Sequence, residues 1–548
     1  MAGGRKASSG RYSTTLLKGD LFGGVTAAVV ALPLALAFGV ASGLGPVAGL
    51  YGAIIVGFFA AVFGGTAVQV SGPTGPMTVV MAATVTQFAH NPALAFTAVF
   101  LGGLLQILFS RLRLGRYITY IPAPVISGFM SGVGCIIIIL QVAPLFGHPN
   151  PDAGVYKTLV DLPGSVLSPH RGPLAVGLVT LLITIYWPQR LRRALPAPLV
   201  GLAAGAVLAL LAFPAAPVIG PIPHALPVLR MPDLEFGYIP DVLRAAFTLA
   251  LLGSIDSLLT SLIADSVTRS QHHSDRELMG QGIGNALAGL FGAVPGAGAT
   301  MRTMVNIGAG GRTRVSGAVH AAVLLVLMLG LSPLVEHIPL AALAAILLRV
   351  GWEIIDWPFL RLLGRADKEE MFVALLVALL TIAVDLITAV GVGIIVANLI
   401  SARALSAQQL AQLKMVSSDA DIAPLSETER ALLREANGSV LLLHLSGPFS
   451  FCSAKDMVRR LPVIGGTHHR ALVVDLGDVT MVDSSAALAI REMLETFLER
   501  GAPVFVSGEG EAVARLARME ALKALPTGNR VATRAEAIRL AVAAVRDG

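Results

Sequence analysis

The chain has 548 residues, of which 55% are apolar and only 14% are charged, and its formal net charge is +6. Soluble domains carry about 25% charged residues, so this composition excludes a wholly soluble protein. No Asp, Glu, Lys or Arg occurs between Asp20 and Arg111, a stretch that requires about four membrane crossings. The basic residues form short clusters between apolar runs. That pattern reflects membrane topology and does not predict nucleic-acid binding.

The first 18 residues are basic and lead into an apolar run without a convincing small-residue cleavage site. This predicts a cytoplasmic tail at 1–18 and a retained first span, not a signal peptide. Apolar runs and the breaks between them predict fourteen spans within a transmembrane domain at 19–404. The spans are 21–40, 48–65, 73–89, 93–110, 118–146, 172–188, 197–216, 242–264, 278–293, 298–310, 315–334, 338–350, 370–384 and 386–404.

Most alternate loops between these spans are basic, for example SRLRLGR after the fourth span and GGRTR after the tenth. The short loops on the opposite side, such as ASGLGPVAG and VEH, carry no Lys or Arg. By the positive-inside rule, both termini are expected in the cytoplasm of a multi-pass protein of the cell (inner) membrane.

The third span begins with a helix-breaking sequence, VSGPTGPMTVV, at residues 70–80. Glycine lets the backbone approach a ligand, and the N–H groups at a helix N-terminus attract anions. Pro76 is tolerated in a first turn because its missing N–H would be unpaired there. We therefore expect a helix that starts in mid-membrane at Thr74. Close helix packing is the alternative reason for such glycines.

Asp256, in the eighth span, lies twelve residues after Arg244 and nine before Asp265. At 1.5 Å per residue it is about 13–18 Å from either charge, close to mid-membrane. Inserting a carboxylate at that depth costs at least about 2.5 kcal/mol, so such a residue usually has a function. The alternative is a neutral Asp that forms hydrogen bonds between helices. Thr260 lies on the same helical face. Such oxygens suit sodium, or a proton on the carboxylate, and spacing does not choose between them.

An internal repeat links the two halves of the chain. At an offset of 228 residues, LYGAIIVGFFAAVFGG (50–65) aligns with LMGQGIGNALAGLFGA (278–293), and the following segments, SGPTGP and PGAGATMRT, are alike in kind. Seven spans per half is an odd number, so the two copies have opposite orientation. Paired broken segments in an inverted repeat indicate a midplane substrate site in a transporter.

In the second broken segment, Thr300 stands at the helix start beside Gly296 and Gly298. Arg302 lies ten residues, or about 15 Å, before Arg312 and is therefore deep in the membrane. An arginine at that depth needs a partner, and three remain open: a permeating anion, a salt bridge to Asp256, or helix-end carbonyls.

After Ala404 the composition becomes polar, which predicts a linker at 405–437 and a small cytoplasmic α/β domain at 438–548. Within it, GSVLLLHLSG and ALVVDLGDV have the pattern of buried strands, and SSAALAIREMLETFLERG that of a helix. Ser484 is expected to cap that helix, with phosphorylation as the alternative. The sequence contains no P-loop, nucleophile elbow or clustered metal ligands, so it predicts neither an enzyme nor a cofactor.

Taken together, these features resemble the SulP sulfate-permease family, and LVVDLGDVTMVDSSA resembles its C-terminal STAS domain. The resemblance covers residues 19–545, and SGPTGPMTVVM and DSLLTSLIADSVTR look closest to the cyanobacterial sodium-dependent bicarbonate-transporting members. It implies that the anion and the coupling ion Na⁺ bind at adjacent sites. The implied anion site comprises Thr74, Gly298, Ala299, Thr300 and Arg302, and the implied sodium site comprises Asp256, Thr260, Gly298 and Thr300.

The same resemblance implies an elevator mechanism, in which a core of spans 1–4 and 8–11 slides against a gate of spans 5–7 and 12–14. It also implies a homodimer in membrane lipid, and a STAS domain that binds a regulatory protein or a nucleotide. Two residues depart from the family pattern. Leu34 follows Pro33 where sulfate-transporting members have Gln, which weakens sulfate as the substrate, and Arg302 replaces a small residue of the bicarbonate-transporting members.

The sequence therefore predicts a secondary active transporter of small inorganic anions, with bicarbonate symported with sodium as the first hypothesis. Sulfate uptake and proton-coupled dicarboxylate uptake are alternatives within the same fold. A membrane-anchored signalling protein is the alternative from another class. The permanent charge of Arg302 leaves open whether sodium is needed to compensate the anion.

Overall fold

The computed structural model describes residues 14–118, 121–149, 154–188, 190–191, 195–220, 227–233, 235–362, 367–384, 386–411, 414–416, 425–449 and 469–547. The chain forms two compact units, Met1–Ala397 and Asn398–Gly548.

The described residues up to 411 are almost entirely helical, and a helix overlaps each of the fourteen predicted spans. The α-helices are α1 (Thr14–Ala41), α2 (Pro46–Phe63), α3 (Gly75–Gln87), α4 (Pro92–Arg111), α5 (Gly115–Ile118), α6 (Ala123–Leu145), α7 (Gly154–Leu167), α8 (Arg171–Tyr186), α9 (Ala197–Ala212), α10 (Ile239–Thr268), α11 (Ser274–Leu290), α12 (Thr300–Gly308), α13 (Arg314–Val335), α14 (Leu340–Ile354), α15 (Trp357–Leu362), α16 (Lys368–Ala383) and α17 (Leu386–Ala411). The short helices α5 and α15 and the 14-residue α7 are additional to the predicted spans.

Prolines mark the start of several of these helices. A proline occupies the first or second position of α2, α3, α4, α6 and α9. Its fixed φ angle suits a first turn, and its missing N–H removes a group that would have no partner inside the helix. Asn91 adds a side-chain cap to α4 by accepting a hydrogen bond of 3.1 Å from the N–H of Ala93.

Helix length separates full spans from half-spans. In the described part of the chain, six helices are long and apolar enough to cross a membrane, and α7 with α8 forms one further candidate that is bent by 105°. A hydrocarbon core of about 30 Å requires about 20 helical residues. Because α3 has 13 residues and α12 has 9, each reaches only part of the way. The two broken segments of the sequence are therefore half-helices.

Two short strands precede the half-helices and pair with each other. Strand β1 (Ser71–Gly72) and strand β2 (Ala297–Gly298) are antiparallel, with Ser71 opposite Gly298 and Gly72 opposite Ala297. Both strands are buried, so non-helical backbone is tolerated at membrane depth. The backbones touch: a Cβ atom on Gly296 would lie 2.5 Å from the carbonyl carbon of Gly72. Glycine is required here because no side chain fits between the two halves.

The second unit contains a five-stranded sheet in the order β3 (Lys414–Val416), β4 (Val440–Phe449), β5 (Ala471–Val482), β6 (Val504–Ser507) and β7 (Arg530–Val531). Strand β3 is antiparallel to β4, and the other pairs are parallel. The α-helices among its described residues after 416 are α18 (Glu427–Glu435), α19 (Ser484–Glu499), α20 (Glu511–Arg518) and α21 (Arg534–Asp547). Strand β3 and helix α18 lie within the segment that the sequence analysis assigned to a linker.

Apolar side chains alternate along β4 and fill two cores, one on each face of the sheet. Leu441 and Leu443 pack with α19 and α20, whereas Val440 and Leu442 pack with α18 and α21. This alternation follows from the two-residue period of a strand. The unit is thus a three-layer α/β domain.

A buried charged cluster ties α18 and α21 to the sheet. Arg534 of α21 donates two hydrogen bonds to Glu429, of 2.9 and 3.0 Å, and a third of 3.3 Å to Asp475 on β5. Asp475 also accepts from Ser507 at 2.9 Å and lies 2.8 Å from Nδ1 of His444. Burial opposes ionisation of Asp475, but hydrogen bonds from His444, Ser507 and the Gly477 N–H, with the charge of Arg534, outweigh it and lower its pKa.

The pKa of Glu429 is likewise lowered, because hydrogen bonds from Arg534 and Ser426 and the charge of Arg534 outweigh the cost of burial. A carboxyl group whose pKa is lower in the folded state stabilises that state above its unfolded pKa. The stabilisation is lost as the pH falls through the folded value. The cluster is therefore fully formed at neutral pH and opens only in acid.

Arg534→Gln should loosen α18 because it leaves two buried carboxylates without their cation. Breaking a buried ion pair costs of the order of 3 kcal/mol, so amide hydrogen exchange in Glu427–Glu435 should accelerate at least about tenfold in the full chain at neutral pH. Lys523→Gln is the matched control, since it removes an exposed ion pair to Glu520 and should change little. Equal exchange rates in the two variants would show that the cluster does not hold α18.

Candidate functional site

The half-helices α3 and α12 both begin at the crossing of β1 and β2. Thr74 is the N-cap of α3 and Ala299 that of α12, and neither helix start has a side-chain cap. The first N–H groups of a helix have no partner within it, and the helix dipole places partial positive charge at the same end. Two such ends that start from one strand pair create an environment for an anion.

Helix α10 contacts β2 and α12 and supplies two of the four predicted cation ligands, Asp256 and Thr260. The hydroxyl of Thr260 donates to the carbonyl oxygen of Gly298 at 3.0 Å and lies 2.8 Å from Oγ1 of Thr300. A hydroxyl has one proton, so Thr300 is the donor in the second contact. Ser257 accepts a hydrogen bond of 3.0 Å from the N–H of Gly298. Three of the four residues named for sodium are therefore in direct contact.

Asp256, the fourth, is buried at 8% exposure one helical turn before Thr260. Its Oδ2 atom has no hydrogen-bond partner. The predicted ligands, one carboxylate, two hydroxyls and the Gly298 carbonyl, are hard oxygen ligands with a single negative charge. Such a set fits a monovalent cation better than a divalent one, which usually binds several carboxylates.

Arg302 lies in the first turn of α12 and is 2% exposed. Its Nη2 atom donates to the carbonyl oxygen of Pro73, just before α3, whereas Nη1 has no partner. No ion pair joins Arg302 to Asp256, both of which lie in the described part of the chain, so a fixed salt bridge does not explain the arginine. The partner in the structure is a backbone carbonyl just before the start of α3, which is not one of the free carbonyls at a helix C-terminus.

Thr74, Asp256 and Arg302 all lie at the two half-helix starts, because Arg302 bonds to Pro73, which precedes Thr74, and Ser257, which follows Asp256, bonds to Gly298. Each of the three has a buried side-chain atom without a hydrogen-bond partner. An unpaired buried polar group costs about 1–3 kcal/mol, so three together are typical of a place that takes a ligand. The charges of Asp256 and Arg302 sum to zero. The site therefore remains neutral when a monovalent anion and a monovalent cation bind to it together.

Behind this site is a buried polar network that the sequence analysis did not identify. Glu277 of α11, 1% exposed, accepts hydrogen bonds of 2.9 Å from the N–H groups of both Gly65 and Thr66. Its other oxygen accepts from Gln69 at 2.8 Å and from Gln281 at 2.9 Å. Glu277 and Gln281 are four residues apart and so lie on one helical face. This spacing is the sequence feature that could have indicated the network. The network fixes the backbone that leads into β1.

His320 on α13 is a second buried group that the sequence analysis missed. It has no exposed surface, and neither ring nitrogen has a hydrogen-bond partner. The ring packs against α2, where a Cβ on Gly57 would lie 3.3 Å from Nδ1. A single histidine in an apolar helix gave no signal that distinguishes such a position.

In the second unit, Asp483 and not Ser484 caps α19. The Asp483 side chain accepts a hydrogen bond of 2.7 Å from the N–H of Ala486. The expected N-cap role of Ser484 is therefore wrong, because the helix begins one residue earlier than assumed. Ser484 is the first helical residue and is exposed.

A cavity of about 310 Å³ lies between α1 on one side and α6, α8 and α14 on the other. Its lining includes Ala37, Gln141, Pro173 and Leu343. These helices correspond to span 1 of the predicted core and to spans 5, 6 and 12 of the predicted gate. Open space therefore separates α1 from α6, α8 and α14 at this point, and the half-helix residues do not line it.

Comparison with known proteins gives consistent results. The model of the sulfate permease family matches residues 17–377, and that of the STAS domain matches residues 431–537. The chain is 44% identical over 547 residues to the bicarbonate transporter BicA of Picosynechococcus sp., with 96% of this chain and 95% of that protein covered.

Solved structures agree in fold. The transmembrane domain of a cyanobacterium bicarbonate transporter BicA matches with a TM-score of 0.66 and 48% identity, covering 69% of this chain and 98% of that one. The murine Slc26a9 anion transporter in the inward-facing state matches with a TM-score of 0.82 at 18% identity, covering 97% and 92%. The predicted fold class, a polytopic helical membrane protein with a C-terminal α/β domain, is confirmed.

Proposed function

Because the chain belongs to the sulfate permease family, and is therefore an anion transporter and not an enzyme, we propose that it carries bicarbonate across the membrane by sodium symport. The observation that supports this most strongly is the neighbourhood of Thr74, Asp256 and Arg302 at the two half-helix starts. The similarity to a protein named as a bicarbonate transporter supports the choice of anion.

In this proposal the anion accepts hydrogen bonds from the first N–H groups of α3 and α12 and from Thr74. Sodium binds Asp256, Thr260, the Gly298 carbonyl and Thr300. The hydroxyls of Thr260 and Thr300 are in contact with each other, and that of Thr260 also contacts the Gly298 carbonyl. The cation then lies beside the anion and offsets its charge. Each ligand raises the affinity for the other, which is the thermodynamic basis of coupled transport.

Arg302 supports a second candidate, transport that does not need sodium. Its unpaired Nη1 can donate to the anion directly, and its charge is permanent. In that case the substrate can be bicarbonate or another anion of the family such as sulfate. A dicarboxylate with proton coupling is the remaining candidate.

We further propose an elevator movement of the core, spans 1–4 and 8–11, against the gate. The cavity between α1 and the gate helices supports a route between these two parts. Both termini are proposed to be cytoplasmic in the cell membrane, and the assembly a homodimer. The STAS domain is proposed to bind a regulatory protein or nucleotide.

Purified protein in liposomes should accumulate labelled bicarbonate above equilibrium when sodium is higher outside, because inward sodium flow drives the anion. An equal potassium gradient is the control and should give only equilibration. Unlabelled sulfate and succinate, added in parallel, test the other anions. Accumulation that is the same in both gradients would refute sodium symport, and no accumulation of any anion under any gradient would refute active transport.

A further inference from the structure

Helix α7, which the sequence analysis did not identify, carries an apolar face that is exposed in the described structure. We propose that α7 lies flat in the boundary between lipid headgroups and acyl chains, on the side of the membrane opposite the termini. The identity of that side rests on the topology proposed above. The position in the boundary does not.

Three faces run along α7, as its exposed and buried residues define them. One face packs on α6 and includes Thr158, which is 1% exposed. A second face is polar and includes Lys157 and Asp161, which follow each other by one turn. The third face is apolar and exposed, and it consists of Tyr156, Leu159, Val160, Val166 and Leu167. Separate apolar and charged faces are typical of helices that lie in a membrane interface.

The orientation of α7 follows from its junction with α8. The two helices meet at 105° with a break of no more than four residues. Helix α8 has 16 residues, about 24 Å, and an apolar sequence without Lys, Arg, Asp or Glu after Arg171, so it runs through the membrane. A helix nearly perpendicular to α8 must then run nearly parallel to the membrane plane, at the depth where α8 begins.

Lipid is the occupant that the surroundings favour. Tyr156 and Leu167 are more than four-fifths exposed, at 81% and 83%, so the apolar face is open along the whole helix. The outward surface of α8 continues it with exposed Leu178 and Leu182, in a segment that crosses the acyl region. Tyrosine is enriched at membrane interfaces, where its ring is buried and its hydroxyl hydrated.

Because α7 packs on α6 and is joined to α8, binding to the interface fixes the depth of both helices in the bilayer. These are gate helices in the elevator proposal. The interfacial helix would hold the gate at one depth while the core moves.

The test uses spin labels on single cysteines in a chain lacking Cys135 and Cys452, reconstituted in phosphatidylcholine–phosphatidylglycerol bilayers. Labels at 156, 160 and 167 should collide several-fold more often with oxygen, which partitions into lipid, than with a water-soluble nickel complex. Labels at 157 and 161 should show the reverse. Leu182 on α8 and Ser484 in the STAS domain serve as lipid and water references, and bicarbonate uptake reports that each variant is folded.

Frequent nickel collisions at all five positions would overturn the proposal, because α7 would then stand in water. Protection from both reagents at 156, 160 and 167 would also overturn it, since a protein surface would then cover the face. If the chain without cysteines does not fold, Tyr156→Trp and Lys157→Trp replace the labels in the natural background. Brominated lipid should quench added fluorescence in the first and not in the second, and equal quenching would contradict the proposal.

Discussion

Replacing Asp256 with asparagine should abolish the sodium dependence of uptake while the protein still folds. The substitution keeps the size of the side chain and removes its charge, the one negative charge among the cation ligands. Sodium binding should weaken at least about a hundredfold, or about 2.8 kcal/mol, so that uptake no longer responds to sodium over the measured range. The measurement is the initial rate of labelled bicarbonate uptake against sodium concentration in proteoliposomes.

Asp241→Asn is the matched control for this experiment. It makes the same chemical change in the first turn of the same helix, fifteen residues or about 22 Å away, and should leave the sodium curve unchanged. Unaltered sodium dependence in Asp256→Asn would remove this carboxylate from the cation site. A loss of folded protein would be detected separately by size-exclusion chromatography.

Replacing Arg302 with glycine should have the second large effect, on the anion. The variant loses both the bond to Pro73 and the unpaired Nη1 donor, so the half-maximal bicarbonate concentration should rise at least about tenfold, or about 1.4 kcal/mol. The uptake that remains should depend more steeply on sodium, because bound sodium is then the only positive charge beside the anion.

Arg302→Lys should fall between the natural chain and the glycine variant, since an ammonium keeps the charge but not the planar fork of donors. Arg312→Gln is the control, because that guanidinium lies ten residues later and its residue is exposed. Identical bicarbonate curves for Arg302→Gly and the natural chain would place the arginine away from the anion. Combining Arg302→Gly with Asp256→Asn tests whether the two charges act together, because independent residues give additive effects.

Periodicity and charge were sufficient to predict the helices of the fourteen spans, but not α5, α7 and α15. Broken helices at Thr74 and Thr300 follow from glycine and proline in an apolar run, and the depth of Asp256 follows from counting residues to the flanking charges. The structure places Thr260, Gly298 and Thr300 in contact, as a shared helical face and an equivalent repeat position suggest.

Contacts between distant segments could not be predicted in the same way. Glu277 stands in a sequence typical of a cytoplasmic loop, and its four hydrogen-bond donors come from an adjacent turn of its own helix and from residues more than 200 positions away. The partner of Arg302 is the Pro73 carbonyl. Every residue has a backbone carbonyl, so the sequence does not indicate which one accepts the hydrogen bond. Helix α7 was missed because a proline and a glycine interrupt its 14 residues, which are too few for a span.

The glycine contact at the strand crossing limits how the protein can expose its ligands. The backbones of Gly72 and Gly296 are in contact, and strand β1, which contains Gly72, is hydrogen-bonded to strand β2, which begins at the residue after Gly296. A movement that separated the two half-helices would have to break these backbone contacts. It would leave buried peptide groups without hydrogen-bond partners, because the membrane interior offers none. A core that moves as a rigid body, with both half-helices, keeps these contacts intact. A single substitution of Gly72 or Gly296 by alanine would thus disturb both the moving core and the ligand site that it carries.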